Sequence, residues 1–299
     1  MTTTTEDRGP APARPLTLVE LTDAEPGRRL TWLATAPDGG HPLGLARLRL
    51  FDRAGQEHLA ELELTVHPAE RGGGVGSRLL AAAVEAARKD GRRSLVAQTR
   101  SGRPGDRFLA ARGFRRVLAL TYARLPLPSP APAELPTPGY RLVSWTGTVP
   151  DELAATFTAS RRAMDDMPMD DTDYGVVVWD EQRVREAAEV IARRGELLHT
   201  VAAVDESDGT IVGFTELVVP AERTGDAQHY GTAVLPGHRR RGLARALKSA
   251  SVRWALREQP DLTGLLTDTA DSNTGMRALN DALGYVPTHT SLEYQLSLG

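Results

Sequence analysis

The 299-residue chain contains no cysteine, which excludes disulfides, thiol nucleophiles and cysteine-ligated metals together. Its seven histidines show no HExxH or similar ligand spacing, so no metal site is expected. No stretch approaches the roughly 20 apolar residues of a membrane-spanning helix. The opening "MTTTTEDRGPAPARP" lacks the apolar region of a secretion signal. A net charge of only -3 argues against a nucleic-acid partner, which calls for a strongly basic domain. The expectation is a cytoplasmic protein with no membrane partner and a disordered tail over residues 1–13.

What is present is ordinary in amount and unusual in arrangement. Hydrophobic residues make up 40% and charged residues 25%, normal for a globular chain long enough for two domains. The stretch "VHPAERGGGVGSRLL" from Val66 is echoed by "VLPGHRRRGLARALK" from Val234. Pro68 falls on Pro236, Arg71 on Arg239, Gly74 on Gly242, Gly76 on Ala244 and Leu79 on Leu247, each pair 168 positions apart. One device is written twice.

Between the copies lies "LPLPSPAPAELPTPG", with prolines at 126, 128, 130, 132, 136 and 138. Proline fixes φ and removes the backbone donor, so the stretch reads as a stiff polyproline spacer. The expected division is a first domain at 14–126, a linker at 127–138 and a second domain at 139–299. In the second half, patterning predicts a strand at "YRLVSW" and a helix near "TVPDELAATFTASRRAM" with Thr148 as N-cap. A second helix is expected at "DEQRVREAAEVIARR", then a hairpin, a strand, the glycine-arginine loop with its helix, and a strand–helix–strand ending. The first half repeats the later part of this order. Its first two strands are separated only by "TDAEPGR", where the second half has two helices, so the first half reads as truncated.

A glycine-rich turn opening a helix offers unpaired backbone N–H groups and the positive end of the helix dipole. Glycine lets the backbone approach a ligand closely. In the second copy Arg239, Arg240 and Arg241 add positive charge. A polyphosphate ligand is expected. Neither copy has the lysine of a P-loop, and "GGGVGSR" lacks the third glycine of a dinucleotide-binding fingerprint.

Arg-x-x-Gly-x-Gly/Ala after a Val-x-Pro strand end resembles the acetyl-CoA signature of the GCN5-related N-acetyltransferases (GNAT). "RGGGVG" at 71–76 and "RRRGLA" at 239–244 carry it, and "RGF" at 112–114 and "LGY" at 283–285 resemble the family's end signature. The likeness covers residues 14–126 and 139–299 and is greatest to tandem-domain members. It implies an α/β fold of two tandem GNAT units. Each would have a mixed sheet whose fourth and fifth strands splay apart to admit pantetheine, with acetyl-CoA as co-substrate. It also implies that the pyrophosphate sits on Arg239, Arg240, Arg241, Gly242, Leu243 and Ala244, with Arg245 beside them. Backbone groups of Ala233, Val234 and Leu235 would hold pantetheine and the acetyl carbonyl. Asn273 and Asn280 complete that set; Asn280 stands where the family commonly has a tyrosine acid. The matching first-copy set is Val66, Arg71, Gly72, Gly73, Gly74, Val75 and Gly76.

By the same resemblance, the two helices after the first strand build the acceptor pocket, so chemistry is expected in the second half. Amine attack on a thioester calls for a base and a proton source. Glu216 in "GFTEL" is the first candidate base, at a half-buried position that would raise its pKa; a solvated carboxylate on a sheet face is the competing reading. His229 and Tyr230 are the second choice, against a reading of His229 as a surface residue. The acidic, methionine-bearing stretch 164–181 supplies Asp165, Met167, Tyr174 and Trp179 as a candidate acceptor pocket for a cationic amine. The expected activity is N-acetylation of a small cationic amine by a monomer or homodimer. The alternatives are a protein N-acetyltransferase and a non-catalytic acyl-CoA sensor.

Overall fold

Alternating apolar and polar residues build β1 (Thr17–Thr22), β2 (Arg29–Thr35), β3 (Pro42–Leu50) and β4 (Leu59–Val66), an antiparallel meander. In β3 the buried Ala46, Leu48 and Leu50 alternate with Arg47 and Arg49, whose side chains face solvent, the period-two signature of a half-buried strand. The computed structural model describes residues 16–22, 28–37, 40–52, 54–164, 170–174 and 178–299. Two compact units share them: Met1–Val117 with Asp173–Gly175 and Glu293–Gly299, and Leu118–Thr172 with Val176–Leu292.

In the first unit, α1 (Val75–Lys89) follows β4 and buries Val75, Leu79, Leu80, Ala83 and Ala87, one apolar stripe at helical spacing. It leads to β5 (Ser94–Arg100), parallel to β4, and then to α2 (Pro104–Ala110). No helix lies between β1 and β2 among the described residues.

The second unit takes β6 (Arg115–Pro126) from Leu118 onward, then β7 (Tyr140–Thr146), α3 (Asp151–Ser160), α4 (Glu181–Arg193), β8 (Leu197–Asp205) and β9 (Ile211–Val219). β10 (Gly225–Val234), α5 (Leu243–Glu258), β11 (Leu262–Ala270), α6 (Thr274–Ala282) and β12 (Val286–Ser297) complete the chain. Within this unit the strand order is β6-β11-β10-β9-β8-β7, with β10 and β11 parallel and the other pairs antiparallel. Every residue of β9 is buried, because helices cover both of its faces. Phe214 packs edge-on against Phe157 of α3, while Leu217 joins Val252 and Ala255 of α5.

Three sequence expectations change here. Pro150, not Thr148, is the N-cap residue of α3, with no side-chain cap bond; its fixed φ suits entry to the helix. The proline-rich stretch lies along the second unit instead of standing free as a spacer. Leu127 N donates to Thr263 O (2.8 Å) and Arg253 donates to Ala133 O (3.0 Å). The unit boundary falls inside β6, whose Leu120–Pro126 pair with Ala270–Gly264 of β11. Conversely, β12 from Glu293 belongs to the first unit, where Gln98 and Ser94 of β5 bond Glu293 and Gln295. Alternation marks a strand and its faces but not its partner.

Candidate active site

In the second unit β10 and β11 are paired only from Gly225 to Gln228, opposite Leu262 to Leu266. Beyond Gln228 the two parallel strands part. β4 and β5 of the first unit behave alike, paired only over Leu59–Leu62 and Ser94–Ala97. Each gap is closed at one end by the repeated turn. After Val234, a short 3-10 turn at Pro236–His238 leads to Arg239, whose Nε donates back to Val234 O at 2.8 Å. Arg71 does the same to Val66 O at 3.3 Å. Gly74 (φ +86°) and Gly242 (φ +78°) are left-handed and begin α1 and α5, a conformation that penalises any side chain bearing a Cβ. Arg240 holds φ +62° where the first copy has Gly72 at +80°, so the second copy bears backbone strain in exchange for a cation.

Neither helix has a side-chain cap or an acid in its first turn. Their leading N–H groups are therefore available to an anion. In the second unit they open on a 540 Å³ cleft lined by Ala233, Val234, Arg239, Arg240, Gly242, Leu243, Ala244, Arg245 and Asn273. In the first unit the cleft is 590 Å³, and Val66, Arg71, Gly72, Gly74 and Gly76 line it with Arg103 and Arg112. Both volumes suit a sizeable ligand.

Several expected residues lie elsewhere. Arg241 turns away: its NH1 donates to Tyr140 Oη at 2.6 Å, and that hydroxyl also bonds His238 Nδ1 at 2.9 Å. Its charge is spent on β7, whereas Arg239, Arg240 and Arg245 line the cleft. Leu235 is tied to the sheet by its N–H on Val212 O (2.8 Å). Gly73 does not line its cleft, and Val75 is buried in the core. Asn273 Oδ1 accepts from Met276 N at 3.1 Å, so it caps α6 while facing the cleft.

Glu216 is buried, and both its oxygens bond Arg161, Oε2 to NH1 at 2.8 Å and Oε1 to NH2. The guanidinium lies 4.7 to 4.8 Å from the rings of Phe157, Trp179 and Phe214. Glu216 is thus neither solvated nor a half-buried, unpaired base, since a cation 55 residues earlier in sequence meets it. His229 is buried, not a surface residue. It faces α5, and burial followed by the nearby Lys248 charge holds its pKa well below the usual value. Tyr230 is 50% exposed and sits on a β-bulge: His229 pairs with Leu217 and Gly231 with Glu216, leaving Tyr230 as the extra residue. No such shift interrupts β3–β4 in the first unit. Bulges re-aim side chains beside sites.

Of the candidate acceptor residues, Trp179 stacks with Arg161 and Arg183. Asp165 and Met167 lie outside the described residues. Tyr174 belongs to the first unit. There its carbonyl accepts from Gln56, and its hydroxyl bonds Glu293, with burial and that carboxylate pushing its pKa up.

Sequence reasoning missed Lys248. It is 1% exposed, and its Nζ donates to Asn280 Oδ1 at 2.6 Å and contacts Thr267 Oγ1 at 3.4 Å. Asn280 Nδ2 in turn donates to Thr269 Oγ1 at 3.1 Å, so Asn280 is a buried anchor and does not line the cleft. Burial lowers Lys248 to about 7, partly opposed by Asp268. The signal was a lysine in register with Val252 and Ala255 on the buried stripe of α5, where lysine is rare unless paired.

The chain matches the acetyltransferase (GNAT) family over residues 3–114 and 162–285. It belongs to that family. Two regions, two splayed strand pairs and two uncapped helix starts make it a tandem GNAT protein and an N-acetyltransferase. It is 31% identical over 274 residues to a mycothiol acetyltransferase of Thermobispora bispora, covering 86% of this chain and 85% of the relative. A mycothiol acetyltransferase of Nocardia farcinica is 29% identical over 297 residues, 91% and 93% of the two chains. A tandem GNAT protein from the clavulanic acid biosynthesis pathway superposes with a TM-score of 0.72 at 28% identity, covering 92% of this chain and 85% of that one. Among the described residues no helix is long and apolar enough to cross a membrane.

Proposed function

We propose that the second unit moves the acetyl group of acetyl-CoA to a primary amine of a small, cationic acceptor by direct attack. The observation that carries this reading is the gap beyond Gln228 in β10, which ends at the uncapped start of α5 and at Arg239, Arg240 and Arg245. Phosphates suit the helix start, and the strand gap suits an extended pantetheine arm with free backbone groups on β10. The bulge at Tyr230, absent from the corresponding β3–β4 pair of the first unit, supports placing the chemistry in the second. Both the mycothiol acetyltransferases and the clavulanic acid pathway neighbour favour a small acceptor over a protein amine.

In this reading the amine nitrogen attacks the thioester carbonyl, the carbon–sulfur bond breaks, and the amine loses its surplus proton. Tyr230, exposed on the bulge, faces the acceptor. Glu216 places a carboxylate opposite Gly231, but Arg161 holds it, so it orients the site and takes the proton only when a cationic acceptor displaces that guanidinium. His229, neutral and enclosed, is the weaker candidate base. The first unit has the phosphate turn and cleft and serves as a second CoA-binding site.

The test is thiol release from acetyl-CoA with a panel of small amines, beside calorimetric counting of CoA sites. Steady release and two sites per chain are expected. Gly74→Val and Gly242→Val, at left-handed positions, should each remove one site, and only Gly242→Val should stop turnover. CoA binding without release for any amine identifies a sensor. Turnover unchanged in both Glu216→Gln and Tyr230→Phe removes those two residues from the mechanism.

A further inference from the structure

Lys248 is a buried amine, charged below about pH 7, with no carboxylate within ion-pair distance among the described residues. Its Nζ is held by Asn280 of α6 and Thr267 of β11 and lies 4.7 Å from the Tyr285 ring. Thr267 is the first β11 residue beyond Leu266, the last one paired with β10. The charge is therefore set where the two strands part. Met276 and Leu279, on the turn of α6 that carries Asn280, line the cleft, and Asn280 and Lys248 lie buried behind them. Other titratable groups around it are Asp268 on β11, His229 on β10 and Tyr285 at the start of β12. Asp268 offsets the charge from a distance, His229 is neutral, and the Tyr285 hydroxyl is buried without a hydrogen-bond partner. A cation so enclosed, and so poorly matched, is costly to keep unless an anion arrives beside it.

We infer that Lys248 supplies the positive charge that stabilises the departing CoA sulfur at the apex of the strand gap. This rests on the functional reading that places acetyl-CoA in the second unit. As the amine nitrogen bonds to the carbonyl carbon, the carbon–sulfur bond breaks and its electron pair goes to sulfur, whose charge the ammonium balances. The amine's surplus proton leaves by way of Glu216, freed from Arg161 as in that reading, and passes on to solvent, and the sulfur takes a proton from solvent on release as the thiol. Lys248 is thus a charge-supplying residue acting at low local dielectric, where such a field counts for more than in water. Asn280 and Thr267 hold it in place.

The test uses reduced CoA, not an acceptor. The thiol of CoA bound to the full-length protein is titrated by the ultraviolet absorbance of the thiolate, in the native protein and in Lys248→Met. The thiolate fraction at pH 7, where about half of Lys248 carries its proton, is expected to be at least about tenfold higher in the native protein, with CoA affinity changed little. Acetyl transfer by Lys248→Met should fall by about 100-fold at unchanged KM for acetyl-CoA. Should that variant fold poorly, Asn280→Asp tests the same point, since its carboxylate neutralises the ammonium and returns the thiol to its free behaviour. CoA bound with the same thiol titration in native and variant proteins overturns this inference alone. Failure of CoA to bind the second unit overturns the functional reading and this inference with it.

Discussion

Replacing Lys248 by methionine should have opposite effects on stability at low and high pH. In the native protein burial brings the lysine from 10.5 to about 7, so between those values the unfolded chain holds a proton that the folded chain has released. Stability therefore rises with pH across that window, by up to about 1.4 kcal/mol per pH unit. Below pH 7 both states are protonated, and enclosing the ammonium costs roughly 5 kcal/mol. Methionine matches the volume and removes the charge, but leaves Asn280 Oδ1 without its donor, a loss of about 1–3 kcal/mol. The variant should be more stable than the native protein by roughly 2–4 kcal/mol at pH 6, and slightly less stable, by about 1 kcal/mol, at pH 10. Urea unfolding followed by tryptophan fluorescence reads the correct unit, since Trp145, Trp179 and Trp254 lie in the second and only Trp32 in the first. A native-to-variant difference that is the same at pH 6 and pH 10 refutes the reasoning, because it would mean that Lys248 is not enclosed as an uncompensated cation.

The Arg161–Glu216 pair should behave as a unit. Arg161→Met and Glu216→Gln should each cost about 3–5 kcal/mol in urea unfolding by leaving a buried charge without its partner, whereas the double variant Arg161→Met/Glu216→Leu should lose less than either. At Arg240, glycine relieves the left-handed φ of +62°. Arg240→Gly should leave stability unchanged or raise it by up to about 1 kcal/mol, while calorimetry shows CoA bound several-fold more weakly at the second unit for want of that cation.

The two glycine turns were legible because their requirements are local. Gly74 and Gly242 are left-handed for reasons confined to a few neighbouring residues, and the arginines beside them recur at the same spacing. Helix α1 could be read from the period of Val75, Leu79 and Ala83. Arg241 shows where local reading stops: three adjacent arginines look equivalent in sequence, yet Tyr140, about a hundred residues away, draws one of them off. Glu216 and His229 could each be assigned to a strand, but not to an environment. The cation on Glu216 comes from the end of α3, and the cover over His229 comes from α5. The bulge at Tyr230 is a property of the pairing between two strands and leaves no mark in either strand alone.

By itself the sequence determined that one architecture was written twice, that two matching turns each begin a helix at a glycine, and that the second copy carries two helices after its first strand. These follow from side-chain period, glycine's access to positive φ and the charge of adjacent residues, all set within a few bonds along the chain. The tertiary structure alone decided that β6 joins β11 and that the end of β12 joins β5. It also placed Tyr174 in the first unit and shut Lys248 away from water. The reason is that strand partners and burial depend on which distant surfaces meet. A strand offers the same hydrogen-bonding edge to many partners, and a lysine on a helix is solvated or enclosed according to what the chain packs over it.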